Sequence, residues 1–415
     1  MKVLIIAPVA DGMSNPKAYP PMGLYYVMAI LNRYRPNWEV KICDMNHDKL
    51  LDYQYDVFLI GINIVQVLIT KEIIKYIRRN NPHAYIILGG AMAPYLLNEY
   101  GSLGEDLIYS GEATKELISV LEKRTRRFYC ATIKPQLRLG LPQIEEIVLK
   151  YNSYDQGAKS FSYIYSRGCP FNCSFCSKGV LRHESKIIRY TSEMILEDDF
   201  LRIYNNSIKH IRLWDDNIGL NKLKDQILLN KISRFNFTFD CQIRSEYATI
   251  EFINKLKKHG CTGVRIGFES FSDQILKIID KNTSTENHIK AILNCRTIGL
   301  PVRGLFIIGL PGETQETINE TMNVIEKYNL SFTASIYCPY PGSSIWDNPT
   351  AYDIKFCKNE ILQNAEKAYY SKSGNYNCFV ETSKMSRADI LKGHQMIYDL
   401  FPELTKSEGE RKRYN

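Results

Sequence analysis

Short apolar runs alternate with helix-length amphipathic stretches along this sequence, in two successive series. Runs such as "KVLIIAP" and "DVFLIGI" are rich in apolar and β-branched residues, and "ITKEIIKYIRRN" carries apolar residues at helical spacing. This alternation is typical of α/β proteins, in which helices cover parallel strands on both faces. We therefore expect an α/β fold, and the 415 residues leave room for two or three domains.

The first series fills residues 1–122 and predicts a Rossmann-like domain. Its strands are "KVLIIAP", "WEVKICD", "DVFLIGI", "AYIILGG" and "DLIYSGE". Several of them end in Gly or Pro, and open α/β sheets bind ligands at the carboxyl ends of their strands. A basic stretch with prolines, residues 123–158, is expected to be a linker with one short helix.

The second series fills residues 159–345 and contains six βα units, which predict a partial (βα)6 barrel of the TIM type. It begins with "FSYIYS" and ends with "FTASIYCP". The pattern then weakens, and residues 346–415 are expected to form a small C-terminal region that faces the substrate. Its tyrosines, among them Tyr369, Tyr370 and Tyr376, either line a substrate pocket or pack on the barrel.

Composition and charge argue against several classes of partner. The net charge is +8, but Lys and Arg are spread along the chain, so we expect no nucleic-acid partner. No apolar run reaches the ~18 residues of a membrane span. The first residues imitate a signal peptide but continue into a βα pattern, which favours a buried strand and a cytoplasmic protein. The odd count of 11 cysteines excludes complete disulfide pairing within one chain, and closely spaced thiols in that reducing compartment indicate metal binding or catalysis.

Three cysteines crowd the stretch "RGCPFNCSFCSKG", at Cys169, Cys173 and Cys176. A loop directly after a strand can hold an inorganic centre with three thiolates. A structural zinc site normally needs four protein ligands, and His183 could supply the fourth. A cubic iron–sulfur cluster normally takes four cysteines, so three would leave one iron open to another ligand. Plain buried cysteines are the remaining alternative.

The Cys-x3-Cys-x2-Cys spacing, with Phe175 before the last cysteine and a strand before the first, resembles the radical S-adenosylmethionine (SAM) superfamily. The resemblance implies a 4Fe–4S cluster held by Cys169, Cys173 and Cys176. Its open iron would bind the amino and carboxylate groups of SAM. One electron would then cleave SAM, and the resulting 5′-deoxyadenosyl radical would remove a hydrogen atom from an unactivated carbon.

The same resemblance implies that residues at the ends of the barrel strands bind SAM. An acidic residue at such a position also caps helices, and this alternative stays open for Asp216 and Glu269. The stretch "GLPGET" lacks the Gly-Lys-Ser/Thr ending of a nucleotide-binding P-loop. The implied contacts are Phe175 and Gly309 with the adenine, Asp215 and Asp216 with the methionine amine, Arg244 with the carboxylate, Glu269 with the ribose, and Arg303 towards SAM.

The first series resembles the N-terminal domain of cobalamin-dependent radical SAM enzymes. The stretches that carry this resemblance are "YPPMGLYYVMAIL", "DVFLIGINIVQVL", "IILGGAMAP" and "LIYSGEATKEL". It implies a cobalamin over the ends of the strands, where glycines let the backbone approach a bulky ligand. Gln66 is the candidate to face the cobalt. The implied cobalamin residues are Met22, Gly23, Gly61, Asn63, Gln66, Gly89, Gly90, Ala91, Gly111 and Glu112.

Two features depart from related families. Neither His47 nor His83 stands in the Asp-x-His-x-x-Gly motif of other cobalamin domains, so no lower cobalt ligand is assigned and a cofactor-free domain stays an alternative. Methylthiotransferases bring three cysteines in their first domain, whereas only Cys43 and Cys130 precede Cys169 here. This makes a methylthiotransferase the weaker interpretation.

The resemblance thus implies a methyltransferase that moves a methyl group from methylcobalamin to an unactivated carbon. We assign no catalytic side chain beyond the residues that hold the cofactors. The expected partners are a small-molecule or peptide substrate and a flavodoxin- or ferredoxin-type reductant, with no membrane partner. A non-methylating rearrangement, cyclisation or oxidation is one alternative, and a non-catalytic metal-binding scaffold is another.

Overall fold

Two compact units make up the chain, and neither is continuous in sequence. The computed structural model describes residues 1–9, 19–50, 54–131, 140–141, 144–151, 153–155, 158–177, 188–369 and 376–405. The first unit comprises Met1–Tyr151 with Lys358–Asn375, and the second comprises Asn152–Cys357 with Tyr376–Asn415. Part of the predicted C-terminal region therefore belongs to the first unit. The domain borders at residues 122, 158 and 345 stay predictions.

Within its described residues, the first unit contains a sheet of six parallel strands in the order β2-β1-β3-β4-β5-β6. The chain reverses direction across the sheet at β1, which is the switch point where doubly wound sheets bind ligands. The expected Rossmann-like architecture is confirmed. The strands are β1 Lys2–Ala7, β2 Glu39–Asp44, β3 Val57–Gly61, β4 Tyr85–Gly89, β5 Leu107–Ser110 and β6 Arg127–Cys130, and the helices are α1 Met22–Tyr34, α2 Val67–Asn80, α3 Leu96–Glu99, α4 Lys115–Lys123 and α5 Ile144–Lys150.

The second unit contains a sheet in the order β15-β14-β13-β12-β11-β8-β7 among the residues that the structure covers. Strands β8 and β11 to β15 are parallel and follow one another in sequence order, whereas β7 is antiparallel to β8. The expected partial (βα)6 barrel is confirmed. The strands are β7 Ser153–Asp155, β8 Ala158–Tyr163, β9 Ser166–Arg167, β10 Arg189–Tyr190, β11 His210–Leu213, β12 Thr238–Ile243, β13 Cys261–Glu269, β14 Val302–Ile308, β15 Ser331–Ile336, β16 Ile354–Lys355 and β17 Glu381–Thr382.

The helices of the barrel follow its strands. Side-chain caps begin several of them, for example Ser192 before α6 and Thr249 before α8, because each cap oxygen accepts an otherwise unpaired backbone N–H. The helices are α6 Glu193–Asn205, α7 Lys222–Arg234, α8 Ile250–Lys258, α9 Asp273–Ile278, α10 Thr285–Ile298, α11 Gln315–Lys327, α12 Ser344–Asp347, α13 Lys358–Gln363, α14 Ala365–Tyr369, α15 Arg387–Leu400 and α16 Pro402–Thr405, of which α13 and α14 belong to the first unit.

The two faces of the barrel sheet differ. One face carries fully buried apolar side chains such as Phe239 and Ile266. The other carries the charged residues Arg212, Asp240 and Arg265. The Asp240 carboxylate pairs with Arg212 Nε at 3.1 Å and with Arg265 Nη2 at 2.8 Å. Burial on both faces, as expected from the sequence, therefore holds for β3 and β4 of the first sheet but not for the barrel.

The C-terminal helix α15 covers the edge strand β15. Tyr398 Oη donates a hydrogen bond to the Ala334 carbonyl at 3.0 Å, and His394 Nε2 lies 3.1 Å from the same oxygen. Because an unpaired strand edge can pair with other chains, this contact protects the barrel. Tyr376 packs on His394 with ring centroids 4.1 Å apart, and Tyr369 ends α14 in the first unit. Tyr370 lies outside the described residues.

Two neighbouring glycines at the end of β4 have different surroundings. Gly90 has φ +104°, and a Cβ atom there would lie 2.5 Å from the Ile62 carbonyl oxygen. That close approach joins the loops after β3 and β4, where Ile62 N also donates to the Gly89 oxygen at 2.8 Å. A Cβ on Gly89 would meet only the Tyr109 oxygen, at 3.7 Å. Gly90 is therefore required by backbone packing within the unit.

We expect Gly90→Ala to lower the free energy of unfolding by about 3 kcal/mol, since it combines backbone strain with a clash against fixed backbone. Gly89→Ala is the matched control and should stay within about 1 kcal/mol of the wild type. Urea unfolding followed by circular dichroism measures both. Equal stability of the two variants would contradict the close approach at Gly90.

Candidate active site

The three clustered cysteines lie on a loop that is fastened to the barrel. Cys173 is buried, Cys169 and Cys176 are half-buried, and all three thiols are free of disulfides. A turn joins the last two, with Cys176 N donating to the Cys173 oxygen at 3.1 Å. Between them, Ser174 N donates to the Ile279 carbonyl at 3.0 Å, and Ser174 O accepts from Ile345 N at 3.3 Å. These bonds hold the thiols in fixed relative positions.

Asp215, directly beyond β11, holds the chain segment that leads into this loop. Its Oδ2 accepts from Tyr165 N at 3.0 Å, and its Oδ1 accepts from the backbone N and the hydroxyl of Ser166, the latter at 2.5 Å. Both carboxylate oxygens are thus engaged by the protein. Asp215 therefore anchors the loop, and its expected contact with SAM stays a prediction, as does that of the half-buried Asp216 with the methionine amine.

Two polar side chains from neighbouring strand ends reach the cysteine sulfurs. Asn217 Nδ2 lies 3.6 Å from Cys169 Sγ, and Arg244 Nη1 lies 3.7 Å from Cys173 Sγ. Arg244 was expected to bind the SAM carboxylate, but the structure places it against the thiol. Asn217 was missed, because only its position after the strand end "LWDD" distinguishes it in the sequence.

A buried network of charges surrounds Arg244. Its guanidinium donates to Glu246 Oε1 at 2.7 Å and to the Lys281 carbonyl, and it lies over the Phe171 ring at 3.7 Å. Lys281 Nζ in turn lies 2.7 Å from Glu269 Oε1, with both side chains at most 10% exposed. Such buried charges are tolerated only in pairs. Burial raises the pKa of the Cys173 thiol, and Lys281 and Arg244 oppose that shift.

Glu269 and Asp216 do not cap helices, which answers the alternative raised by the sequence. The next helix after Glu269 begins behind Ser272, and the one after Asp216 begins behind Asn221. Glu269 instead ends β13 with φ +65°, a conformation rare for residues other than glycine and enriched at functional sites. Lys281, its partner, was not identified from the sequence, since no motif contains it.

The loop after β14 closes on a buried carboxyl group. Gly309 has φ +92°, and its backbone N–H donates to Glu313. Burial raises the pKa of Glu313 from 4.5 to about 8, against the opposing hydrogen bonds from Gly309 and Leu310. The loop expected beside the adenine is therefore held by an acid whose burial favours its protonated form.

Arg303 lies at the other end of β14 and is a second correction. It is the second residue of that strand and donates to Thr333 Oγ1 at 2.9 Å and to the Thr405 carbonyl at 2.6 Å. The cysteine loop and Gly309 lie at the carboxyl ends of the parallel strands. Arg303 lies at the opposite, amino-terminal end of its strand. Arg303 therefore binds α16. Phe175, in contrast, lies within the site, its ring centroid 5.9 Å from Lys281 Nζ.

The residues implied for cobalamin follow the carboxyl ends of strands in the first unit. Gly61 and Gly89 are paired at the ends of β3 and β4. A Cβ on Gly23 would meet nothing within 4 Å, whereas one on Gly61 would meet the Leu24 side chain. These residues also differ in solvent exposure. Gly23, Gly90 and Ala91 are exposed, Gly61, Asn63, Gly89, Gly111 and Glu112 are half-buried, and Met22 is buried.

Gln66 is a third correction, because both ends of its amide are used within the unit. Its Nε2 donates to the Pro8 carbonyl at 2.6 Å, and its Oε1 accepts from Asn63 N at 3.2 Å. The side chain joins the loop after β3 to the end of β1 and is not available to face a cobalt. His47 packs edge-on against Tyr151 at 4.9 Å, and His83 precedes β4 at the opposite edge.

The cysteine loop fits an iron–sulfur cluster. Ser174 Oγ is buried and lacks a hydrogen-bond partner among the described residues, as a hydroxyl beside an inorganic acceptor would. Among all the residues that the structure describes, no three His, Cys, Asp or Glu side chains are grouped closely enough to hold a single metal ion. In a 4Fe–4S cluster each cysteine binds a different iron, so its ligands stand further apart. His183, the possible zinc ligand, lies outside the described residues.

Residues 163–325 match the family model of the radical SAM superfamily. This stretch of the chain is a radical SAM domain. The matched range runs from the end of β8 into α11 and contains the three cysteines, Arg244, Glu269 and Gly309. The 4Fe–4S cluster and SAM expected from the sequence are the cofactors of this superfamily.

Curated relatives of this radical SAM enzyme include methyltransferases. An uncharacterised methyltransferase of Pyrococcus horikoshii is 26% identical over 395 residues, 86% of this chain and 85% of the relative. The bacteriochlorophyllide d C-8(2)-methyltransferase of Chlorobaculum tepidum is 28% identical over 335 residues, 75% of this chain and 72% of the relative. The anaerobic magnesium-protoporphyrin IX monomethyl ester cyclase of Cereibacter sphaeroides is 21% identical, over 88% of this chain and 64% of the relative.

A solved structure shares the fold over most of the chain. The radical S-adenosylmethionine methyltransferase TsrM of Kitasatospora setae, with cobalamin and a 4Fe–4S cluster bound, superposes with a TM-score of 0.65 at 16% identity. The superposition covers 86% of this chain and 80% of that chain. The likeness confirms the architecture of a doubly wound domain followed by a partial barrel.

We expect the buried acid Glu313 to make stability depend on pH. Between pH 4.5 and about 8 the native state keeps a proton that the unfolded state has released, so stability falls as pH rises. Glu313→Gln keeps the acceptor for Gly309 N but removes the ionisation. Relative to the wild type, it should gain on the order of a few kcal/mol between pH 5 and pH 8.

Unfolding midpoints measured across that pH range check this, with the exposed Glu320→Gln as the matched control. The control should follow the wild-type pH dependence. Parallel curves for the wild type and Glu313→Gln would mean that Glu313 is ionised in the native protein.

Proposed function

We propose that this radical SAM enzyme is a cobalamin-dependent methyltransferase that methylates an unactivated carbon. The observation that carries the proposal is the combination, in one chain, of the cysteine-bearing barrel with a doubly wound sheet whose strands β3 and β4 end in paired glycines. The named methyltransferases among the relatives support it, at up to 28% identity over most of the chain.

In this proposal the chain's own residues hold and orient the reactants. Cys169, Cys173 and Cys176 bind the cluster, while Asp215 fixes the entry of their loop. When bound, the cofactors would supply the radical chemistry that removes a hydrogen atom from the substrate and the methyl group that takes its place. No side-chain acid or base is required at the carbon.

The remaining site assignments are also proposals. SAM would contact Phe175, Asp216, Glu269 and Gly309 at the carboxyl ends of the barrel strands. Cobalamin would lie over the carboxyl ends of the strands of the first sheet, where β3 and β4 end in glycine and the loop after β5 begins with Gly111. Its contacts would come from Gly23, Gly61, Asn63, Gly89, Gly90, Ala91, Gly111 and Glu112, while Met22, buried in the core, would support them.

A second candidate function is a radical rearrangement, cyclisation or oxidation without methyl transfer. The cyclase relative supports this alternative, because it is similar over 88% of this chain. The contacts at the cysteine loop are equally suited to both outcomes, since they concern cleavage of SAM. A non-catalytic scaffold is disfavoured by the family of the barrel.

A radical SAM enzyme uses a substrate and an electron donor, and we infer a flavodoxin- or ferredoxin-type reductant and a small-molecule or peptide substrate. The free thiols agree with a reducing compartment such as the cytoplasm. In the described part of the chain, no helix has the length and apolar character needed to cross a membrane.

Replacement of Cys173 by Ala should abolish both cluster assembly and SAM cleavage, because two thiolates cannot hold three irons of the cluster. The matched control is Cys357→Ala, which removes an exposed thiol outside the loop and should keep full iron content. Iron per chain and 5′-deoxyadenosine formation are measured on anaerobically reconstituted protein. Retained 5′-deoxyadenosine in Cys173→Ala would disprove the cluster assignment.

The methyl-transfer step is tested by the cofactor content and by the two products of SAM. After reconstitution with iron, sulfide and hydroxocobalamin, we expect about four irons and one cobalt per chain. With titanium(III) citrate and SAM, cobalamin-loaded protein should form S-adenosylhomocysteine, and protein without cobalamin should not. Four irons without cobalt, and 5′-deoxyadenosine as the sole product, would favour the non-methylating alternative.

A further inference from the structure

The guanidinium of Arg244 is almost fully used by the protein itself. An arginine has five N–H groups. Four are directed at Glu246 Oε1 (two of them), the Lys281 carbonyl and Cys173 Sγ. One planar face is covered by Phe171, and the side chain is 5% exposed. The remaining N–H group is not enough for a bidentate salt bridge with the carboxylate of SAM.

Asn217 makes a corresponding contact from the neighbouring strand end. Its amide donates to Cys169 Sγ at 3.6 Å, and the residue is 9% exposed. Asn217 and Arg244 follow β11 and β12, which are adjacent in the sheet. Two of the three clustered sulfurs therefore receive an N–H donor from the barrel, and one of those donors is a buried cation.

We propose that Arg244 and Asn217 are positioning residues that raise the reduction potential of the iron–sulfur cluster through hydrogen bonds to Cys173 and Cys169. Reduction adds one electron from the external donor and thus one negative charge to the cluster, with no bond made or broken. N–H donors and a buried cation beside the sulfurs stabilise that more negative state. The carboxylate of Glu246 and the backbone carbonyl of Lys281 hold the guanidinium in place.

The inference rests on the cluster of the proposed function and is independent of the methyl-transfer step. The experiment is a redox titration of the reconstituted holoenzyme without SAM, with titanium(III) citrate as reductant and the signal of the reduced cluster followed by electron paramagnetic resonance. We expect Arg244→Met and Asn217→Asp to shift the midpoint to more negative potential. Arg244→Lys, which keeps the cation but loses the planar donors, should shift it less.

The matched control is Arg303→Met, which removes an arginine at the opposite end of the barrel and should leave the midpoint unchanged. If Arg244→Met does not retain iron, Arg244→Lys and Asn217→Asp decide the question. Unchanged midpoints in these iron-loaded variants would overturn the inference, as would an equal shift in the control. Wild-type protein that assembles no cluster would instead disprove the function on which the inference rests.

A further measurement separates this role from the one that the sequence implied. If Arg244 binds the SAM carboxylate, Arg244→Lys should weaken SAM binding to the oxidised holoenzyme while its midpoint without SAM stays that of the wild type. We expect the reverse, a shifted midpoint with SAM affinity within a few-fold of the wild type. The first result would overturn the assignment of Arg244 to the sulfur.

Discussion

The carboxylate of Asp215 connects the barrel to the loop that carries the three thiols. By accepting backbone N–H groups from Tyr165 and Ser166, it fixes the direction in which the chain leaves β8 and enters that loop. A buried carboxylate is stable only when such donors replace the water it has lost. Because Asn217 lies two residues further on and reaches Cys169, the same strand end both anchors the loop and contacts its first sulfur.

Around this anchor, the site consists of buried and half-buried charges that neutralise one another. Arg244 with Glu246 and Lys281 with Glu269 form two pairs, and the Lys281 carbonyl joins them by accepting from Arg244. Removing one member would leave an uncompensated charge in a poorly solvated place. The network therefore keeps a polar surface beside the thiols, and one of its members, Glu269, has a positive φ.

Periodicity and turn chemistry allowed both halves of the fold to be predicted, since the alternation of strands and helices is encoded locally. The strand ends that carry Gly61, Gly89 and Gly309 were also placed correctly, because these glycines stand directly after apolar runs. The predicted contacts of Arg303 with SAM and of Gln66 with the cobalt were wrong. An arginine in a strand can belong to either edge of the sheet, and an amide near a ligand site can equally well close a loop, so neither role is visible without the partners.

By itself, the sequence determined which segments become strands and which loop bears three thiols, because hydrophobic period and covalent spacing are properties of neighbouring residues. Only the tertiary structure decided which distant groups meet. Ser166 and Asp215 are 49 positions apart, and Cys173 and Arg244 are 71 positions apart. Their contacts depend on how the parallel strands align and how each loop turns back. Those alignments come from the packing of the whole sheet and not from any single segment.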